Sequence, residues 1–205
     1  DYMWQIGRIP VDFMPKCKLN QKLDLTPADI EIDYQMLLEK KDSLLASDKL
    51  TLNAKILFIF YMRGLRLRDM AAIEVDDFEN RGDKLTLLLE KKDGYACQLE
   101  FSGSEIPVLQ EGIERAVFRN TPYLLSSKVK DGYSMFKMGS LSDYTDALSE
   151  FLGVPVRSGD IRFAYVYHLY SVEHKNLEEI QETLGVSLDS ASRMLKEALT
   201  RLKRG

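Results

Sequence analysis

Residues 61–78 read YMRGLRLRDMAAIEVDDF, and their reading decides the fold. The preceding LTLNAKILFIF is strongly apolar, so a buried helix is predicted to run into this stretch and stop at Gly64. Arg63, Arg66 and Arg68 bracket the stop, and LRDMAAIEV opens a short second helix. Arg66 thus stands at the mouth of a buried helix pair. A guanidinium donates two parallel hydrogen bonds to an oxyanion best when rigid structure holds it. Asp69 lies one helical turn beyond Arg66 and is placed to brace it. From these residues alone, a surface arginine beside a helix break reads the same way.

Downstream, DKLTLLLEKK and YACQLEF are β-rich runs around Lys92-Asp93-Gly94, and Asp-Gly is a strong hairpin signal. PVLQEGIERAVFR returns to helix, and the polar, Gly-bearing SSKVKDGYSMFKMGS reads as a loop. LSDYTDALSEFLG, IRFAYVYHLYSVE, NLEEIQETLG and SLDSASRMLKEALTRLK are expected to close the chain as four helices. Upstream, LTPADIEIDYQMLLEK opens a helix, with Thr26 as its cap, Pro27 at its first position and Asp29 completing a capping-box-like pattern. Residues 1–24 contain Pro10 and Pro15, keep no sustained period, and read as an arm or linker before one domain of residues 25–205. The expected class is mainly α with a small antiparallel β-sheet.

The 205 residues are 45% hydrophobic and 29% charged, as in an ordinary soluble domain. No apolar run approaches the roughly 20 residues needed to span a bilayer, so no membrane role is expected. The first residue is not Met, and further residues upstream are expected. Cys17 and Cys97 are too few for a disulfide framework and suit idle thiols in a reducing cytoplasm. His168 and His174 lack metal-ligand spacing, so neither a metal nor another cofactor is expected. The net charge of −4 counts against a general nucleic-acid binder. Yet the basic residues cluster in RGLRLR and RMLKEALTRLKRG, while the acids gather in DDFEN and VEHKNLEEIQE.

The order of these pieces resembles the catalytic domain of the tyrosine recombinases, the phage-integrase family, over roughly residues 25–200. That family's first box, Gly-hydrophobic-Arg-x-x-acid-hydrophobic, matches Gly64, Leu65, Arg66, Asp69 and Met70. The resemblance implies that Arg66 grips the scissile phosphate. It also puts the family's hairpin lysine, which protonates the leaving 5′-oxygen, at Lys92 with Lys91 beside it. The box His-x-hydrophobic-Arg is met by Gly159, Asp160, Ile161 and Arg162, so its arginine is kept and its histidine is not. The box Leu-Gly-His is met by Leu184, Gly185 and Val186, again without the histidine.

The nucleophilic tyrosine's place falls on Leu195, with Met194 beside it, and no tyrosine follows Tyr170. A covalent phosphotyrosyl link needs a phenol oxygen. Ser190, Ser192 and Thr200 are nearby hydroxyls with no general base close in sequence, and Tyr165, Tyr167 and Tyr170 fit buried packing at helical spacing. The resemblance therefore implies a degenerate recombinase that retains the cations Arg66, Lys92 and Arg162, binds duplex DNA, and does not cleave it alone. A tyrosine supplied in trans stays open. The setting implied is the bacterial cytoplasm, in association with the nucleoid and with mobile, integrating elements.

Further DNA contacts are expected from Arg193, Lys196, Arg201, Lys203 and Arg204. The segment NLEEIQETLGVSLDSASRMLKEALTRLKR also reads as a helix-turn-helix like sigma-factor region four, with Ser190, Ser192, Arg193 and Lys196 facing DNA. A helical interaction module with no DNA role is a third reading. Met194, Leu195, Ala198, Leu199 and Leu202 recur at helical spacing in the last helix. That stripe packs in cis or joins a second copy in a homo-oligomer.

Overall fold

The computed structural model describes residues 30–90, 94–137, 139, 141–157 and 159–202. Three helices come first: α1 (Tyr34–Ala46), α2 (Leu52–Met62) and α3 (Leu67–Ala71). A 3-10 turn (Val75–Asp77) leads into β1 (Phe78–Arg81), β2 (Lys84–Glu90) and β3 (Ala96–Phe101). Then follow α4 (Glu105–Phe118), the strands β4 (Ser126–Val129) and β5 (Gly132–Met135), and α5 (Leu141–Leu152). Finally come α6 (Asp160–Ser171), α7 (Leu177–Leu184) and α8 (Leu188–Arg201).

Helix α2 is the axis of the fold. Its sequence is apolar almost all round, and Ile56 through Met62 are all buried. Such a helix must be covered on every side, and α1, α4, α5 and α6 all pack on it. Thr51 caps its start by accepting from the Ala54 N–H. At its end, the Tyr34 hydroxyl donates to the Met62 carbonyl at 2.7 Å. One otherwise orphaned carbonyl is thereby satisfied.

The main sheet is antiparallel in the order β1-β2-β3, with Leu85 opposite Phe101 and Leu87 opposite Leu99. Cys97, Leu99 and Phe101 alternate inward, the period-two pattern of a sheet with one buried face. Helices α6, α7 and α8 enclose a smaller core of Val166, Leu169, Ile180, Leu184, Val186 and Ala191, against which Met194 and Leu195 pack. The last helix therefore lies against its own chain, one of the two outcomes its apolar stripe allows.

Three local expectations are corrected. The first described helix starts at Tyr34 with Asp33 as its cap, while Thr26 and Pro27 lie outside the described residues. Ile30 and Ile32 are both buried, and Ile30 bridges to Leu202; alternate burial holds the chain extended before the helix. The SSKVKDGYSM segment is a hairpin, not a loop, with Val129 opposite Gly132 across Lys130-Asp131. Its polar side chains hide the strand signal while Asp131-Gly132 still turns the chain. The main sheet also gains β1 from the acidic DDFEN region, which Gly82-Asp83 turns back onto β2.

Gly185 ends α7 at φ 54°, and a Cβ there would lie 2.9 Å from both the Ala96 carbonyl oxygen and Cys97 Cβ. Backbone cannot yield as a side-chain tip can. Gly185→Ala is expected to destabilise by about 2 kcal/mol or more, strain and overpacking combined. Gly153 has φ 76°, and a Cβ added to it would meet nothing within 4 Å, so Gly153→Ala should cost only about 1 kcal/mol. Urea denaturation of both variants checks the ranking.

Candidate phosphate-binding site

The turn from α2 into α3 is wedged in place. Gly64 has φ 70°, and a Cβ there would meet Leu184 Cδ2 at 2.7 Å and Tyr165 Cδ1 at 3.0 Å. Glycine alone combines that backbone with that closeness. One residue earlier, Arg63 Nη2 donates to both carboxylate oxygens of Glu105, at 3.0 and 2.8 Å. Glu105 is fully buried at the first position of α4, and Lys41 stands 3.6 Å from it. The Arg63 guanidinium also lies 5.5 Å from the Phe101 ring centre. This clamp fixes the turn to the end of the sheet.

Arg66 is the cap residue of α3, and its Nε lies 3.8 Å from Asp69 Oδ2. Arg68 Nε donates to Asp69 Oδ1 at 3.3 Å. Asp69 is only 8% exposed. Arg162 comes from the first turn of α6, and its side chain is driven from the usual arginine range to about 10. Burial is the main cause; the Arg66 charge adds to it, Asp69 opposes it, and Arg68 adds a further push. Arg162 is therefore within electrostatic reach of all three. Among the described residues, Arg66 and Arg68 both stand against the buried carboxylate of Asp69, whose charge also acts on Arg162. Among the described residues, the buried Nε of Arg162 has no hydrogen-bond partner, a costly state for a charged donor.

The structure thus brings Arg66 and Arg162 together, and adds Arg68, which the sequence reading did not assign to the site. The other motif segments meet behind them: Leu184 touches the Gly64 turn, and Gly185 presses on the base of the β2–β3 hairpin. Lys92 lies outside the described residues, although its flanking strands are in register, with Glu90 opposite Ala96. Lys203 and Arg204 lie outside them as well.

Arg201 is turned inward and does not extend the basic tail to solvent. It is 13% exposed, pairs with Asp160 at 3.2 Å and Glu197 at 3.6 Å, and covers the Phe163 ring. Arg193 is exposed and paired with Asp189 at 2.7 Å, and Lys196 is exposed one turn on. Of the hydroxyls near the helix start, Ser190 is bonded to Ser187, and Ser192 is exposed.

The matched positions that lack catalytic groups are structural. Gly159 precedes α6, Val186 is buried, and Leu195 packs on the smaller core. Of the three tyrosines after Arg162, Tyr165 is largely enclosed, its ring 5.1 Å from that of Tyr34. Burial pushes its hydroxyl up to about 12. Tyr167 and Tyr170 are instead exposed, on the outer face of α6. Among the described residues no group of His, Cys, Asp and Glu is placed to hold a metal ion.

Glu105→Ala would strip the half-buried Arg63 of its carboxylate partner, leaving it the Glu100 carbonyl at 3.4 Å, and is expected to cost about 2–3 kcal/mol of stability. Arg63→Ala combined with Glu105→Ala should cost less than the sum of the two single changes. Chemical denaturation of the four proteins in that cycle measures the coupling.

No protein-family model matches the sequence, and no curated protein matches it. Solved structures do. The XerH site-specific recombinase bound to difH substrate, in a pre-cleavage complex, superposes with a TM-score of 0.62 at 20% identity. That match covers 84% of this chain and 53% of the XerH chain. The XerH post-cleavage complex with palindromic difH substrate gives 0.61 at 20% identity, over 82% of this chain and 50% of that one. The XerA recombinase gives 0.59 at 14% identity, over 85% of this chain and 64% of that one. The chain thus spans about half the length of the XerH chains. The element order and the superpositions together establish that this chain has the fold of the tyrosine-recombinase catalytic domain.

Proposed function

We propose that this chain is a degenerate member of the tyrosine recombinase family. In this reading it binds duplex DNA by holding one backbone phosphate between Arg66 and Arg162, and does not cut DNA by itself. The observation that carries the reading is the gathering of Arg66, Arg68 and Arg162 around Asp69, with a buried donor on Arg162 left over. A phosphodiester brings one negative charge and two free oxygens, which suits guanidinium donors and the unbonded Nε of Arg162. Lys92 is the proposed third contact from the hairpin. Exposed Arg193 and Lys196 would add phosphate contacts at the edge. Beside Arg68 and Asp69 lies a cavity of about 470 Å³ walled by Glu74, Asp76, Asp77, Glu79 and Glu90. Its sign repels a polyanion, so the duplex is expected on the Arg66–Arg162 side.

Cleavage is not expected because the nucleophile's matched position, Leu195, carries hydrocarbon, and Val186 replaces a proton-transferring side chain with a buried methyl pair. The XerH structures hold difH substrate before and after cleavage; the same class of partner is proposed here without the chemistry. Of the last helix's apolar stripe, Ala198 is buried, Met194 and Leu195 pack in cis while partly exposed, and Leu199 faces outward, where a homo-oligomer through this helix would have to form. No helix among the described residues is long and apolar enough to cross a membrane.

Arg66→Ala with Arg162→Ala is expected to weaken binding to a labelled random-sequence duplex by about tenfold or more, or about 1.4 kcal/mol. The slope of log affinity against log salt should fall by about 1. Fluorescence anisotropy across a salt series measures both. Unchanged affinity would remove these arginines from the interface. A loss confined to Arg193 and Lys196 variants would favour the helix-turn-helix reading, and no retention at low salt would favour an interaction module. In a separate assay with a nicked suicide duplex, no covalent adduct is expected on a denaturing gel. A trapped adduct would overturn the non-cleaving assignment.

A further inference from the structure

We infer that Arg201, near the end of the chain, is a positioning residue that holds Arg162 at the phosphate site by gripping the opposite face of the same helical turn. The inference rests on the phosphate-binding reading above.

Asp160, Arg162 and Phe163 all belong to the first turn of α6. Residues three apart share a helix face, whereas residues two apart point in nearly opposite directions. Arg201 touches both members of the shared face. Its Nη2 is 3.2 Å from Asp160 Oδ1, and its guanidinium lies 5.3 Å from the Phe163 ring centre. Arg162, on the other face, looks toward Arg66, Arg68 and Asp69. A grip on one side of the turn therefore sets the direction of the side chain on the other.

The grip is itself anchored. The Arg201 carbonyl accepts from the Ile30 N–H at 3.0 Å, and Leu202 bridges to Ile30. Glu197, one turn earlier on α8, stands 3.6 Å from the same guanidinium. Both partners of the Asp160–Arg201 pair are at least 87% buried, since their side chains are 8% and 13% exposed.

There is also something to resist. Arg162 sits in the first turn of a helix, where the backbone dipole presents its positive end. Arg66 and Arg68 push on it as well. Without a tie, the turn would relax by swinging Arg162 away from the cluster. The Asp160–Arg201 pair opposes that motion at the helix start, the place where it costs least to bend.

The test is a double-mutant cycle read as affinity for a labelled random-sequence duplex, with thermal midpoints taken alongside. Arg201→Ala should weaken binding by about three- to tenfold in the wild-type background and by less than about twofold in an Arg162→Ala background. A residue that merely supports the fold would shift the midpoint without that dependence on Arg162. Should Arg201→Ala fail to fold, Asp160→Asn breaks the same pair at similar volume and enters the same cycle. An equal loss in both backgrounds would mean direct contact with DNA and would overturn the positioning role alone. So would no loss in the wild-type background while Arg162→Ala itself weakens binding. If Arg162→Ala leaves affinity unchanged, the phosphate-site reading falls and this inference with it.

Discussion

Arg66 and Arg68 flank the buried carboxylate of Asp69, their charges act against that of Arg162, and the fold around them withstands that repulsion. Like charges a few ångströms apart near a protein surface repel by a few kcal/mol. Left alone, the arginines would swing apart into solvent, since each sits on a long and flexible stem. The chain prevents this by fixing the backbone beneath each one. The Gly64 wedge and the Arg63–Glu105 clamp hold the Arg66 turn, and the short helix α3 carries Arg68 and Asp69 together. Such a site draws on stability earned elsewhere, and the fully enclosed helix α2 is its main source.

The clamp and the wedge differ in kind. Gly64 works by absence: no Cβ means that α6 and α7 close directly on the turn. Glu105 works by charge in a dry place, where a paired carboxylate is fixed far more firmly than at the surface. Both act on backbone within three residues of Arg66. The β2–β3 hairpin is drawn into the same unit, because Gly185 lets the α7–α8 turn rest on Ala96 and Cys97. Chain segments separated by more than a hundred positions thereby form one continuous support.

What the sequence discloses follows from how local each signal is. Helix α2, its stop at Gly64 and the β2–β3 turn are written in neighbouring residues, so they can be read without coordinates. The β4–β5 hairpin is also local, but its strands are polar and lack the alternation that marks a half-buried strand. Glu105 gives no sign at all, because its partner Arg63 is 42 positions away. Arg201 misleads more actively. A basic run at the end of an amphipathic helix suggests a solvent-facing cation, whereas Asp160, 41 positions earlier, turns it inward. Sequence shows charge; only the fold shows direction. Arg66 and Arg162 could be paired across 96 positions only through the resemblance to a family, since no periodicity links them.

The arginines and the apolar positions 186 and 195 also separate physically. Arg68 stands on α3, with Arg66 as its cap, and Arg162 stands at the start of α6. Val186 and Leu195 belong to the small core that fastens α7 and α8 to α6. The arginine cluster and the small apolar core therefore rest on different foundations in this chain. Apolar side chains at the second set strengthen the packing that holds α8 in place, and α8 in turn carries Arg201 to Asp160. Packing at one set of positions thus firms the geometry at the other. A polar group placed at 186 would be buried among Ile180, Leu184 and Ala191, where an unpaired donor or acceptor costs more than a methyl group contributes.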